Sequence, residues 1–368
     1  MRKDLFMSLR HQPKAALIND FSGFGRCSVT VALPIISQMK VQCCPVLTSV
    51  FSNHTGYPSF YFDDYTEKMP SYIAEWKKLN LHFECIAAGF LGSERQIEIV
   101  KNFIRDFKDE TTKVLIDPVM GDHGRTYQTF TPEMCSQMKQ LAHFADILTP
   151  NLTEACILTD TPYHDGHWQM SELSKLALSL IAMGPSKVVI TGVSMGTFIG
   201  NVICESGGTP SVVKRKRVGQ ERSGTGDIFA AILTADCANN VDFETSVRKA
   251  SAFVQRCIEI TEEFEGPRTD GVCFEEVLNE LKSIDFSSDE NELKYTFLLA
   301  KFGFAPVFNP YIVTKIESEK FNLKNIGLKF KLNLFFKCLP LIFTSFNKKF
   351  AELTFSLISP NYIFALCI

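Results

Sequence analysis

Apolar residues along the chain fall into short, dense runs separated by longer stretches of helical period. The runs at 15–19 (AALIN), 41–50 (VQCCPVLTSV), 84–90 (ECIAAGF), 113–117 (KVLID), 146–148 (DIL), 187–191 (KVVIT) and 197–204 (TFIGNVIC) predict strands, several of them apolar on both faces. Between them, Ser93 stands as an N-cap with Gln96 three residues on, and Ile97, Val100, Ile104 and Phe107 share one helical face. Thr131-Pro132 opens a helix through about His143, and SVTVALPIISQM predicts another from Ser28. Strands alternating with helices of this length imply βαβ crossovers, hence an α/β class with a three-layer α/β/α sandwich around a mainly parallel sheet. Ligands in such folds bind at the carboxyl ends of strands, so the residues that follow each strand carry the functional argument.

After the first strand comes NDFSGFGRCS (19–28), whose glycines permit close backbone approach and whose polar side chains can hydrogen-bond a ligand; a tight turn capped by Ser28 is the alternative. After the second comes SNHTGYPSF (52–60), where Thr55 can hold a polar heterocycle with Tyr57 or Phe60 near its face, while His54 reads as a loop-ordering residue. DPVMGDHGR (117–125) places Asp117 and Asp122 around a Pro and a Gly, either as a turn or as the carboxylate pair of a nucleotide–metal site. DILTPNLTEA (146–155) adds Thr149, Asn151 and Glu154, the last two also spaced as a capping box. In ERSGTGDIFAAILTA (221–235), Gly224, Thr225, Gly226 and Asp227 open an apolar helix. Free N–H groups and the dipole at such a terminus form an anion hole, and Asp227 at its mouth can accept a proton from an attacking hydroxyl; alone, it would read as a helix cap.

Composition narrows the class. The 368 residues, 45% hydrophobic and 21% charged, exclude a wholly disordered chain, and the net charge of −3 leaves no basic footprint for nucleic acid. The twelve Cys show no CxxC pair and sit mostly in apolar runs, which suits reduced thiols in a cytoplasmic protein; Cys43-Cys44 reads as buried strand rather than as metal ligands. The N-terminal stretch is broken by Asp4, Arg10 and Lys14 and does not read as an export signal. KRKR (214–217) is either an edge or lid segment whose cations meet phosphates or, the reading favoured, a solvated, charged strand end.

Beyond the linker-like SSDENE (287–292) the sequence changes character. Residues 286–368 hold ten Lys, no Arg, one Asp and five Glu, a charge of +4 that leaves −7 for the rest, together with 14 of the 32 Phe. Three readings of this tail stand: an accessory or membrane-touching segment, a partner-binding extension, or non-homologous sequence appended by a frameshift or rearrangement, which the Lys-for-Arg and Phe/Ile/Asn bias favours. The uncharged stretch at 354–368 contains Pro360 and falls short of a stable membrane span. The division expected is an N-terminal extension at 1–13, a catalytic domain at 14–285 and the tail at 286–368.

The five loops, taken in order, resemble the ribokinase superfamily and within it the pyridoxal kinases: GTGD matches the superfamily's anion-hole motif, while DPVMGD, TPNLTEA and SNHTGY are similar to the metal, nucleotide and substrate loops of the vitamin B6 kinases. The resemblance covers roughly residues 14–282. It implies transfer of the ATP γ-phosphate to the 5′-hydroxyl of pyridoxal, pyridoxine or pyridoxamine. Asp227 would be the base, with Gly224, Thr225 and Gly226 as the anion hole; Asp122 and Glu154 would organise Mg²⁺, and Asp117, Thr149, Asn151 and Thr191 would line the ATP side. Thr55 and Gly56, with Asn19, Asp20 or Ser22, would contact the substrate ring. The first loop also looks partly like that of the hydroxymethylpyrimidine kinases, which with a non-catalytic vitamer binder make the alternatives. Glu221-Arg222-Ser223 departs from the pattern, standing where an apolar or aromatic residue is expected before GTGD. Family members are commonly homodimers.

Overall fold

The computed structural model describes residues 11–127 and 130–282. The chain divides into two units, Met1–Ser287 and Ser288–Ile368; the second unit, the expected boundary at 285 and the start of the N-terminal extension lie outside the described residues. In chain order the elements are β1 (Lys14–Ser22), α1 (Ser28–Gln38), β2 (Gln42–Phe51), β3 (Phe62–Asp64), α2 (Met69–Lys78), β4 (Cys85–Ala88) and α3 (Glu94–Phe107). There follow β5 (Lys113–Ile116), β6 (Gly121–Asp122), β7 (Arg125–Thr126), α4 (Pro132–Ala142), β8 (Ile147–Leu148), α5 (Leu152–Thr159) and α6 (Met170–Ala182). The last are β9 (Lys187–Met195), β10 (Phe198–Glu205), β11 (Ser211–Lys216), α7 (Thr225–Ala238) and α8 (Phe243–Thr261).

Nine strands form one sheet in the order β11-β10-β9-β8-β5-β4-β1-β2-β3. From β2 to β9 all pairs are parallel; β3 at one edge and β10–β11 at the other are antiparallel. Successive side chains of a strand point to opposite faces, so a strand buried on both must be apolar throughout. In β1, Ala15 and Leu17 join the core cluster of α1, α7 and α8, while Ala16 and Ile18 join that of α2–α6; β4 and β5 divide the same way, Ala87 and Leu115 against Ile86 and Ile116. This is the three-layer α/β/α sandwich that the alternating runs predict.

Helix starts behave as their spacing predicts: the Ser93 hydroxyl accepts the Gln96 N–H and the Thr131 hydroxyl that of Met134, while Asn151 and Glu154 close a full capping box. Ser28 does not cap α1, whose N-cap is Cys27 with no side-chain bond; the Ser28 hydroxyl instead donates to Asp20 Oδ1 at 2.6 Å. Strands β3, β6 and β7 have two or three residues each, too few for an alternation to register. The charged segment at 214–217 overlaps β11, the outer edge of the sheet, where cationic side chains deter further strand pairing. Cys43 and Cys44 lie in β2, half-buried, and among the described residues no cluster of three metal-ligating side chains occurs.

Candidate active site

The carboxyl ends of β1, β2, β5, β8 and β9 open onto a cleft of about 1090 Å³, lined among others by Asp20, Asp117, Asp122, Glu154 and Asp227, roomy enough for two ligands of ordinary size side by side. Its floor is the start of α7. Gly224 is the N-cap, left-handed at φ 82°, and a Cβ there would lie 2.0 Å from the Arg26 carbonyl oxygen, so only glycine lets the first loop and the GTGD segment meet this closely. The first intrahelical bond runs from the Ile228 N–H to the Gly224 carbonyl, leaving the first-turn N–H groups without an intrahelical acceptor. A Cβ on Gly226 would meet open space.

Asp227 does not cap its helix. Burial, reinforced by the like charge of Asp20, pushes its pKa up to about 6, against the nearby Ser28 N–H and Asn19 side-chain amide, which favour the charged form. Asn19 is held in turn, its Oδ1 accepting the N–H groups of Asp20 at 3.0 Å and Phe90 at 2.9 Å. Asp20 is buried and bonded through both oxygens, to Ser22 at 2.9 Å and Ser28 at 2.6 Å. The first-loop side chains are therefore held by one another and by the backbone, in the same cleft lining as Asp227.

Asp117, just past β5, accepts from Thr149 Oγ1 at 3.0 Å; burial and then the charge of Asp227 raise it to about 7. Glu154, 4% exposed, spends its oxygens on the N–H groups of Met120 (3.1 Å) and Asn151 (2.8 Å), and burial, followed by the charge of Asp117, pushes its carboxyl well up. Asn151 Nδ2 donates to the Gly121 carbonyl at 2.8 Å, and Asn151 bridges Thr191 across the sheet end. Asp122, half-exposed in the small β6–β7 hairpin, accepts the His123 N–H at 2.7 Å. Raised carboxyls gathered at one cleft mark a site built to receive positive charge.

On the other flank, Thr55 and Gly56 are exposed. His54 orders this loop as expected: its Nδ1 accepts the Gly56 N–H at 3.0 Å, so the opposite nitrogen donates to the Thr269 carbonyl at 2.7 Å. Phe60 lines the cleft beside Phe51 and Phe90, whereas Tyr57 packs on Phe24 and His54 and donates to Asp270 Oδ1 at 2.8 Å. The structure adds a cleft corner that the sequence reading missed: Asn201 accepts the Gly192 N–H at 3.1 Å and donates to Ser251 at 2.8 Å, beside Val193, Val254 and Ile258. Its one signal was an Asn inside an apolar strand run.

A mainly parallel sheet with acidic strand ends, facing a glycine-bordered helix N-terminus that carries a raised carboxyl, is the arrangement of a ribokinase-like small-molecule kinase. The chain belongs to the phosphomethylpyrimidine kinase family, whose pattern matches residues 33–270. It is 30% identical over 201 residues to the pyridoxal kinase of Arabidopsis thaliana, a match covering 51% of this chain and 62% of that one. To the pyridoxal kinase PdxY of Leifsonia xyli it is 27% identical over 255 residues, 66% of this chain and 87% of the other. A Bacteroides thetaiotaomicron protein assigned as a phosphomethylpyrimidine kinase and crystallised with pyridoxal superimposes with a TM-score of 0.71 at 38% identity, over 74% of this chain and 96% of that one.

Proposed function

We propose that this protein transfers the γ-phosphoryl group of ATP to the 5′-hydroxyl of a vitamin B6 vitamer. The observation that carries the reading is Asp227, its carboxyl raised to about 6 at the mouth of the Gly224–Gly226 anion hole, with a cleft large enough for both substrates. The binding of pyridoxal by the Bacteroides relative supports the choice of acceptor.

Asp227 takes the proton of the attacking hydroxyl. The oxygen of that hydroxyl bonds to the γ-phosphorus as the bond to the bridging oxygen breaks, and that electron pair leaves on ADP. The N–H groups at the start of α7 hold the oxygens of the transferring group, and positioning with charge neutralisation supplies most of the rate. Asp117, Thr149, Asn151 and Thr191 face the nucleotide; Thr55 faces the ring from the exposed loop, while Gly56 beside it does not line the cleft. Asn19, Asp20 and Ser22 serve the ring side chiefly by fixing Asp227 and the backbone beside it. The donor set fits Mg²⁺ carried on ATP phosphates, which needs one or two carboxylates and keeps several waters: Asp122 directly, and Glu154, whose oxygens already accept N–H groups, through water. Mg²⁺ would neutralise phosphate charge. The protein is further taken to be a cytoplasmic homodimer; the ten described cysteines are all free thiols, and no described helix is long and apolar enough to cross a membrane.

Hydroxymethylpyrimidine (phosphate) kinase is the second reading, because the matching family is named for the phosphomethylpyrimidine. Release of ADP with Mg²⁺ and, separately, pyridoxal, pyridoxine, pyridoxamine and hydroxymethylpyrimidine decides between them. Turnover on a vitamer at least tenfold above that on the pyrimidine is expected; the reverse order overturns the assignment.

A further inference from the structure

The segment ahead of the anion hole carries a guanidinium that the site as described leaves unused. Arg222 lines the cleft two residues before Gly224, and its side chain is 9% exposed. It donates from Nη2 to Glu262 Oε1 at 3.3 Å, while its Nε–H is buried and bonds nothing. Its carbonyl accepts the Thr225 hydroxyl at 3.4 Å, so its backbone is tied to the first turn of α7. A guanidinium presents five donors in a rigid fork, and burying that charge against one long hydrogen bond is costly unless a ligand completes the set. Two other arginines around the cleft have closer partners: Arg217 donates to Ser194 Oγ at 2.7 Å and Arg268 to Gln220. Arg215, whose Nε is also unmatched, belongs to β11 and donates to the Arg248 carbonyl.

We propose that Arg222 is a further catalytic residue of this chain, contacting the terminal phosphates of ATP at the anion hole. The inference rests on the reading of the cleft as an ATP site. A planar fork beside a helix N-terminus suits the tetrahedral oxygens of a phosphate, and in transfer it stabilises the charge spread over the moving phosphoryl group. Arg222 stays protonated throughout; the bonds made and broken are those at the γ-phosphorus, and the proton goes to Asp227.

The test uses the full chain with Arg222→Met, Arg222→Lys and Glu262→Gln. Calorimetric titration with Mg·ATP and with adenosine, both without acceptor, is read beside kcat/KM for ATP with pyridoxal. Arg222→Met should weaken ATP at least tenfold, keep adenosine within twofold and lower kcat/KM a hundredfold or more, with Arg222→Lys intermediate. Glu262→Gln should keep ATP affinity within threefold. Unchanged ATP affinity in Arg222→Met, equal loss of adenosine and ATP, or the same loss in Glu262→Gln would overturn the proposal; the last two would make Arg222 a tie between its loop and the end of α8. The titrations need no acceptor, so a failure of the vitamer assignment leaves this test standing.

Discussion

Asp227, the proposed base, shows how surroundings tune a single side chain. Burial and the neighbouring Asp20 charge raise its pKa to about 6, against the Ser28 N–H and the Asn19 amide that stabilise the charged form. A base must be deprotonated to act, so kcat/KM should climb about tenfold per pH unit below 6 and level off above it, and Asp227→Asn should lower kcat by roughly 10²–10⁴ with ATP affinity kept; a flat pH profile or near-normal turnover would remove Asp227 as the base. Asp117 makes the complementary case in stability. With its folded-state pKa raised to about 7, the native protein holds a proton that the unfolded chain releases near its ordinary, lower pKa, so stability falls as pH rises across that window. Thermal denaturation without ligand should show Tm dropping from pH 5 to 8, and Asp117→Asn should flatten that slope and raise Tm at pH 8 by roughly 5 °C, while impairing catalysis. Equal slopes in the two proteins would contradict the electrostatic account.

At the scale of elements, the parts most legible in the sequence were those where a local rule and the tertiary structure ask for the same residue. Ser93 and Thr131 cap helices whose apolar faces are also the core faces, and the Gly224–Asp227 segment opens α7 where predicted. Illegible were contacts made across distance: the Asp20–Ser28 bond spans the first loop, and Asn201 meets Ser251 from a different element altogether. Gly224 joins both kinds, since a local motif glycine is required by a distant backbone. Gly224→Ala adds a Cβ 2.0 Å from the Arg26 carbonyl at φ 82°, whereas Gly196→Ala, at φ 66° in the β9–β10 turn, meets open space. Both carry the left-handed strain of about 1–2 kcal/mol, but only the first must shift the start of α7, the proposed anion hole. Gly224→Ala should therefore lose at least tenfold in kcat and more in Tm than Gly196→Ala, which should keep kcat within twofold. Matched losses in the two variants would mean that the Arg26 contact is not what the glycine serves.

Across the whole molecule, the residues that line the cleft run from Asn19 to Thr269, and the packing behind them closes a little later. Val272, Phe274, Val277 and Leu281 are buried in the core cluster beneath α1 and α8, each side chain stabilising by about 1.5–3 kcal/mol if fully removed from water. A cut before Leu281 therefore opens that core, whereas a cut at 285 spares every described contact. The fold class was readable over this span because apolar period and loop chemistry agree along it; the tail offered only composition, which carries no pattern from which a fold or site can be argued. If its Phe- and Lys-rich sequence contributes nothing to catalysis, the chain ended at residue 285 should match the full chain in kcat and in KM for both substrates within twofold. On the same premise it should also stay monodisperse at concentrations where the full chain associates, since Phe-rich apolar sequence outside a catalytic fold promotes aggregation. Light scattering and the ADP-release assay on the two chains read both quantities. A truncated chain that is folded by circular dichroism yet loses tenfold or more in kcat/KM would show that residues beyond 285 serve the site.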